Sequence, residues 1–274
     1  MIENELKKED YIEPACPLCL FDQETGPRIP IDRVLHKLDS YFASNDYSGA
    51  LRHLLYWEGE ATLAKDTRGL ITVCNELMGL YRKEGKEKEA IAYAEKALSL
   101  LAAEGRKDSS AGTTLLNAAT VYKAFGKAEE ALPLYRRAEE LYSRYLPEGD
   151  GRFGGLYNNF ALCLTDLSRY AEAEKYYHRA LSVMEKIKGG ELERAITYLN
   201  LSDLEREALP LEEAAPLTEE YVNIAQELLE SPHLMRDGYY AFVCEKCAES
   251  FRYYGHFAYA DELLERARLI YAGA

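Results

Sequence analysis

Apolar and polar residues vary along this chain with the period of amphipathic helix, in paired runs separated by short polar turns. The pairs fall at about 31–45 and 47–64, 67–84 and 87–104, 111–125 and 127–146, 152–167 and 170–188, 191–207 and 211–230, and 234–254 and 256–272. One alanine recurs just inside the second run of each pair: Ala50, Ala90, Ala131, Ala173, Ala214 and Ala260, spaced 40, 41, 42, 41 and 46 residues apart. A fixed period of this size predicts stacked helical hairpins, each burying its apolar face on its neighbours.

The residues around each anchor support that register. Seven after it stand Trp57, Ala97, Ala138, Ala180, Tyr221 and Ala267, and twelve before it Leu38, Met78, Ala119, Ala161, Ser202 and Ala248. Small side chains recur where helices must approach closely. Nine before the anchors come Tyr41, Tyr81, Tyr122, Leu164, Glu205 and Phe251, mostly large residues that fill gaps between turns. The turns Gly85-Lys86, Gly126-Lys127, Ser168-Arg169 and Gly255-His256 suit a helix end with a left-handed residue.

At these positions the chain resembles the tetratricopeptide repeat (TPR) family, nearest in spacing to its roughly 42-residue, kinesin-light-chain-like subtype. The likeness is carried by Leu156-Tyr157-Asn158-Asn159-Phe160-Ala161, by Gly126-Lys127-Ala128-Glu129-Glu130-Ala131, and by Pro133 and Pro216 two residues past their anchors. There, early in the second helix, a lost N–H should cost little. The resemblance implies an all-α, right-handed superhelix of about six helix pairs. The repeats span about 31–66, 67–110, 111–151, 152–190, 191–232 and 233–272. The fifth departs most, with Ser202, Glu205 and Tyr221 at usually small or aromatic positions, so its helices should pack loosely. Residues 1–30, with Pro14, Pro17, Pro27 and Pro30, read as an irregular arm leading into the first helix.

Composition narrows the function. A net charge of −14 disfavours nucleic acid and anionic membrane as partners. No apolar stretch approaches the ~20 residues of a membrane span. The start, Met1 to Lys8, lacks the apolar run of a secretory signal, and six cysteines in 274 residues do not make a disulfide scaffold. The expected setting is reducing and cytoplasmic.

Candidate contacts follow from rows on the first helix of each pair. Fourteen residues before the anchors lie Asn117, Asn159 and Asn200; one step earlier lie Asn75 and Asn158. Asparagine is a mediocre helix former, yet its amide matches the C=O and N–H of an extended peptide. Resemblance to peptide-gripping TPR proteins makes these five the backbone contacts; stitching between adjacent helices is the competing explanation. Eight before the anchors, Arg82, Lys123, Arg206 and Arg252 are basic, about 120° around the helix from the asparagines. They suit an acidic peptide or free C-terminus, or pair locally with acids such as Asp203 and Glu207.

Cys16-Pro17-Leu18-Cys19 resembles half a zinc knuckle, whereas Cys244 and Cys247 fall mid-helix and read as core, as do Cys74 and Cys163. No catalytic motif stands out, and the doubled Tyr239-Tyr240 and Tyr253-Tyr254 cannot both be buried. The chain stops just after the sixth pair without a polar capping helix. Leu263, Leu264, Leu269, Ile270 and Tyr271 should therefore leave an apolar end able to dock, as a homodimer, on a second copy. The reading is a non-catalytic scaffold that holds an extended, acidic peptide or a partner protein in the concave groove lined by the first helices, without nucleic acid, membrane or cofactor. The alternatives are an oligomerisation module, a bacterial signal-peptide receptor lacking its own DNA-binding domain, and metal- or thiol-dependent activity at Cys16 and Cys19, where zinc is the candidate ion.

Overall fold

The computed structural model describes residues 28–273. Among them are twelve helices and no strand: α1 (Ile31–Ala43), α2 (Tyr47–Ala64), α3 (Thr67–Lys83), α4 (Glu87–Glu104), α5 (Ser109–Ala124), α6 (Ala128–Tyr145), α7 (Arg152–Asp166), α8 (Tyr170–Met184), α9 (Glu191–Ala208), α10 (Leu211–Leu229), α11 (Gly238–Tyr253) and α12 (Phe257–Tyr271). The fold is an all-α array of helical hairpins, as the period implies. It divides into two compact units, one running to Arg106 and the other from Lys107.

In the first unit α1 packs on α2, α2 on α3 and α3 on α4. Asp66 ties its entry to its middle. One carboxylate oxygen caps α3 by accepting from the Gly69 N–H at 2.9 Å, and the other accepts from the Ile29 N–H at 3.0 Å. In the second unit the first helices α5, α7, α9 and α11 form one layer, and the second helices wedge against it. The anchors Ala50, Ala90, Ala131, Ala173, Ala214 and Ala260 are all fully buried. A methyl group at the crossing lets each hairpin close, and rings such as Tyr135, Tyr142 and Tyr177 fill the space beside it.

The turns repeat in conformation as well as sequence. Gly85, Gly126 and Gly255 have φ of 68°, 74° and 88°, and Asn45 and Ser168 take the same left-handed conformation in their repeats. The residue after each donates its N–H back to the carbonyl nine before the anchor (Lys127 to Tyr122 at 3.0 Å, Arg169 to Leu164 at 2.8 Å), which closes the helix end. The fifth hairpin lacks this bond: Leu209 is extended at φ −119° and Pro210 has no N–H to give.

Three expectations are corrected here. The fifth pair is not loose: Ser202 is fully buried with its hydroxyl donated to the Tyr198 carbonyl, and Tyr221 packs against the Tyr198 ring at 5.7 Å. Pro133 and Pro216 stand at the sixth residue of α6 and α10, one turn inside, so each forgoes an internal backbone bond. Leu263 is wholly core rather than surface; the apolar exposure around α12 comes from Tyr253, Phe257, Leu264 and Leu269.

Close approach makes Gly112 a sensitive position. A Cβ there would lie 2.7 Å from the ring of Tyr142, itself 1% exposed and held by its hydroxyl to Thr113 at 2.9 Å. Gly112→Ala is expected to destabilise the second unit by about 1–3 kcal/mol in urea unfolding, despite alanine's better helix propensity. An unchanged midpoint would show that the α5–α6 contact yields more easily than a packed ring should.

Candidate binding face of the first helices

The asparagine row divides into distinct local roles. On α7, Asn159 donates its amide N–H to the Gly155 carbonyl one turn back, at 2.9 Å. Its neighbour Asn158 accepts from Asn200 of α9 at 2.9 Å and from the Thr197 hydroxyl at 3.1 Å. The stitching role is therefore real for Asn158 and Asn200, which join adjacent repeats directly. The same bonds orient the amides. Asn159 and Asn200 each donate one of their two amide N–H bonds, and neither Oδ1 accepts a bond from a described residue. Asn117 lies half-buried on α5, and Asn75 half-buried on α3 of the first unit.

The basic row is engaged rather than bare. Lys123 reaches Asp166 of the next repeat at 3.5 Å. The Arg206 guanidinium lies 4.6 Å from the centre of the Tyr253 ring. Arg252 pairs with Asp261 of α12 at 2.5 Å. Arg82, in the first unit, is exposed. Sequence reading missed how many carboxylates share the face. Burial, helped by neighbouring Asp166 and Asp203, raises the Glu207 pKa, and burial raises that of Asp203, against the pull of the Tyr254 hydroxyl bonded to it at 2.6 Å. The signal was present as Asp166 and Glu207, both seven before their anchors. The lip thus carries both signs of charge.

The doubled tyrosines split as expected: Tyr240 is fully buried and Tyr239 exposed, and Tyr253 is 62% exposed. Cys244 and Cys247 are core, with thiols pushed by burial up to about 11 and about 12; Cys74 and Cys163 are likewise buried, at about 12 and about 11. None of these four is poised as a nucleophile or ligand. Cys16 and Cys19 lie outside the described residues. No described helix is long and apolar enough to cross a membrane.

With the hairpin period, the buried alanine anchors and the row of first helices established, comparison with known proteins decides the family. The tetratricopeptide repeat model matches residues 74–144 and 153–227, more than half of the chain. The chain belongs to the tetratricopeptide repeat family. No curated protein matches it. Three solved TPR-type structures resemble it. BtubC (BKLC) from P. vanneervenii is 21% identical over 86% of this chain and 91% of its own, with a TM-score of 0.51. The nearly identical TPR-like repeats of a Podosopora anserina protein described as a kinesin light chain are 20% identical over 76% and 96%, also at 0.51. A Rap protein complexed with competence and sporulation factor is 16% identical over 85% and 72%, at 0.53. At these identities the likeness is one of fold. A TPR array of this kind is a protein–protein interaction scaffold.

Proposed function

We propose that this TPR chain is a non-catalytic recognition protein that holds an extended polypeptide segment along the first-helix layer of its second unit. The observation that carries the reading is the pair of pre-oriented, unoccupied Oδ1 acceptors on Asn159 and Asn200, at one register position of adjacent first helices. Packed helices lie roughly 8–10 Å apart and an extended chain rises about 3.3 Å per residue. Backbone N–H groups of about every third ligand residue would then meet successive asparagines. Asn117 supplies the same residue type on α5; the first unit, taken by itself, carries an asparagine in Asn75 and a cation of the basic row in Arg82. Asn158 acts through Asn200 by fixing its amide.

An acidic ligand suits Lys123, Arg206 and Arg252, each of which would exchange an exposed partner for the ligand's carboxylate. The Rap structure, with its bound factor, supports a ligand held by this fold. The repeat length supports the kinesin-light-chain-like subtype, and four free, buried cysteines suit a reducing cytoplasmic setting. The exposed Tyr253, Phe257, Leu264 and Leu269 favour self-association through the last repeat as a second reading, which a strictly monomeric sedimentation profile at high concentration would dismiss.

The test is Asn159→Ala combined with Lys123→Ala. Partners captured from the native lysate should be lost, with affinity falling about tenfold or more, while circular dichroism shows unchanged helicity. Capture that survives the double substitution ends the groove reading.

A further inference from the structure

Glu205 sits where the fifth repeat breaks its own pattern. The equivalent residues Tyr41, Tyr81, Tyr122, Leu164 and Phe251 fill the space beside the hairpin turn with a large apolar side chain. In the fifth repeat a carboxylate takes that place, and the altered turn at Leu209-Pro210 draws the chain into an extended path. The result is a cavity of about 520 Å³ between the start of α8 and the end of α9. Tyr170, Leu204, Ala208 and Leu209 line it, with Glu172, Glu174 and Glu205 as its carboxylates and Arg169 as its cation.

The carboxylate has no structural use there. Glu205 is only 8% exposed, and no described residue gives it a side-chain hydrogen bond or an ion pair. Among the described residues that line the cavity the one cation, Arg169, is already committed, holding Glu172 through two bonds of 2.7 Å. The other titratable groups facing Glu205 are Glu174 and His178 of α8 and Tyr221 of α10, with His178 lying 3.8 Å from Glu174. Burial first, then Glu174, raises the Glu205 carboxyl above its ordinary range, with His178 opposing. The Glu205 oxygens reach the solvent of the cavity rather than being sealed in the core, so the charge stands at the cavity wall where the other repeats place a large apolar residue.

We propose that this cavity binds an organic cation, the ammonium or guanidinium group of a lysine- or arginine-like ligand, with Glu205 as the buried anionic contact, Glu174 as the second carboxylate, and the apolar walls around the aliphatic stem. With Glu172 held by Arg169, the two remaining carboxylates are too few for calcium, which takes six to eight oxygens, and four apolar or aromatic walls suit a hydrocarbon stem better than a hydrated ion. The site is separate from the asparagine row and does not depend on it.

The test uses the full chain and two capped pentapeptides, Ala-Ala-Lys-Ala-Ala and its norleucine counterpart, with n-butylamine as the free-amine probe. Calorimetry should show the lysine peptide binding about tenfold or more tighter than the norleucine peptide, a preference lost in both Glu205→Gln and Glu174→Gln. Carbon-13 titration should show the Glu205 carboxyl pKa falling when the cation is added. Butylamine as tight as the lysine peptide assigns the site to free amines; a lysine peptide about tenfold tighter assigns it to a side chain on a polypeptide. Asn159→Ala with Lys123→Ala should leave the preference intact, which separates this site from the groove. Equal binding of lysine and norleucine peptides, or a preference that survives Glu205→Gln, overturns the proposal. Should Glu205→Gln lose helicity, Glu174→Gln alone decides.

Discussion

Tyr135→Ala should lower the stability of the second unit by about 3–5 kcal/mol, the largest effect expected of any single truncation here. Tyr135 is fully buried on α6. Its ring stacks on Phe160 of α7 at 5.4 Å with an interplanar angle of 13°, and its hydroxyl lies 3.2 Å from that of Thr120 on α5. One side chain therefore joins three helices from two successive repeats, and removing it leaves a cavity that rigid neighbours cannot close. Tyr135→Phe should cost only about 1 kcal/mol, because the Thr120 hydroxyl keeps its bond to the Leu116 carbonyl at 2.8 Å. Urea unfolding of both variants, followed by circular dichroism, measures the difference. A loss below about 1 kcal/mol for the alanine variant would mean that the α5–α7 packing does not depend on this ring.

Glu76→Gln should stabilise the first unit above neutral pH by about 2–3 kcal/mol and change little near pH 4. Burial, with Asp39 of α1 adding like charge, pushes the Glu76 carboxyl up to about 7. The folded state thus holds a proton that the unfolded chain releases near pH 4.5. The stability this confers is fully present below pH 4.5 and is lost as pH rises through about 7. Glutamine keeps the shape and cannot ionise, so parent and variant should diverge across that window. Trp57, the single tryptophan, is 4% exposed in the same unit and reports its unfolding by fluorescence. Parallel stability curves from pH 4 to 8 would refute the idea that this carboxyl stays protonated in the fold.

Glu76 also shows where sequence reading stops. It stands fourteen residues before Ala90, the position held by Asn117, Asn159 and Asn200 in later repeats. Attention to the asparagines passed over it, because a carboxylate on a helix reads as solvated surface until its neighbours are placed. The basic row fared similarly. Its residues were visible in sequence, but Asp166 answers Lys123 from the next hairpin, and Tyr253 of the sixth helix pair lies against Arg206 of the fifth. The helices themselves were legible because each hairpin repeats a short-range pattern. Alanine at the crossing, a large residue nine before it and a left-handed turn are all local demands of closing two helices.

The amino-acid order alone determined the all-α repeat architecture, the register of the hairpins and the family, since a 3.6-residue pattern recurring every 40 to 46 residues admits no other way to bury its apolar faces. Tertiary structure decided which polar groups are spent and which are free. It bonded Asn158 to Asn200, left Oδ1 of Asn159 without a partner among the described residues, and set Glu205 at the wall of a cavity whose lining cation, Arg169, is held by Glu172. Those outcomes depend on side chains some 40 residues apart meeting across helices. Desolvation and pairing act through space, and no local pattern encodes them.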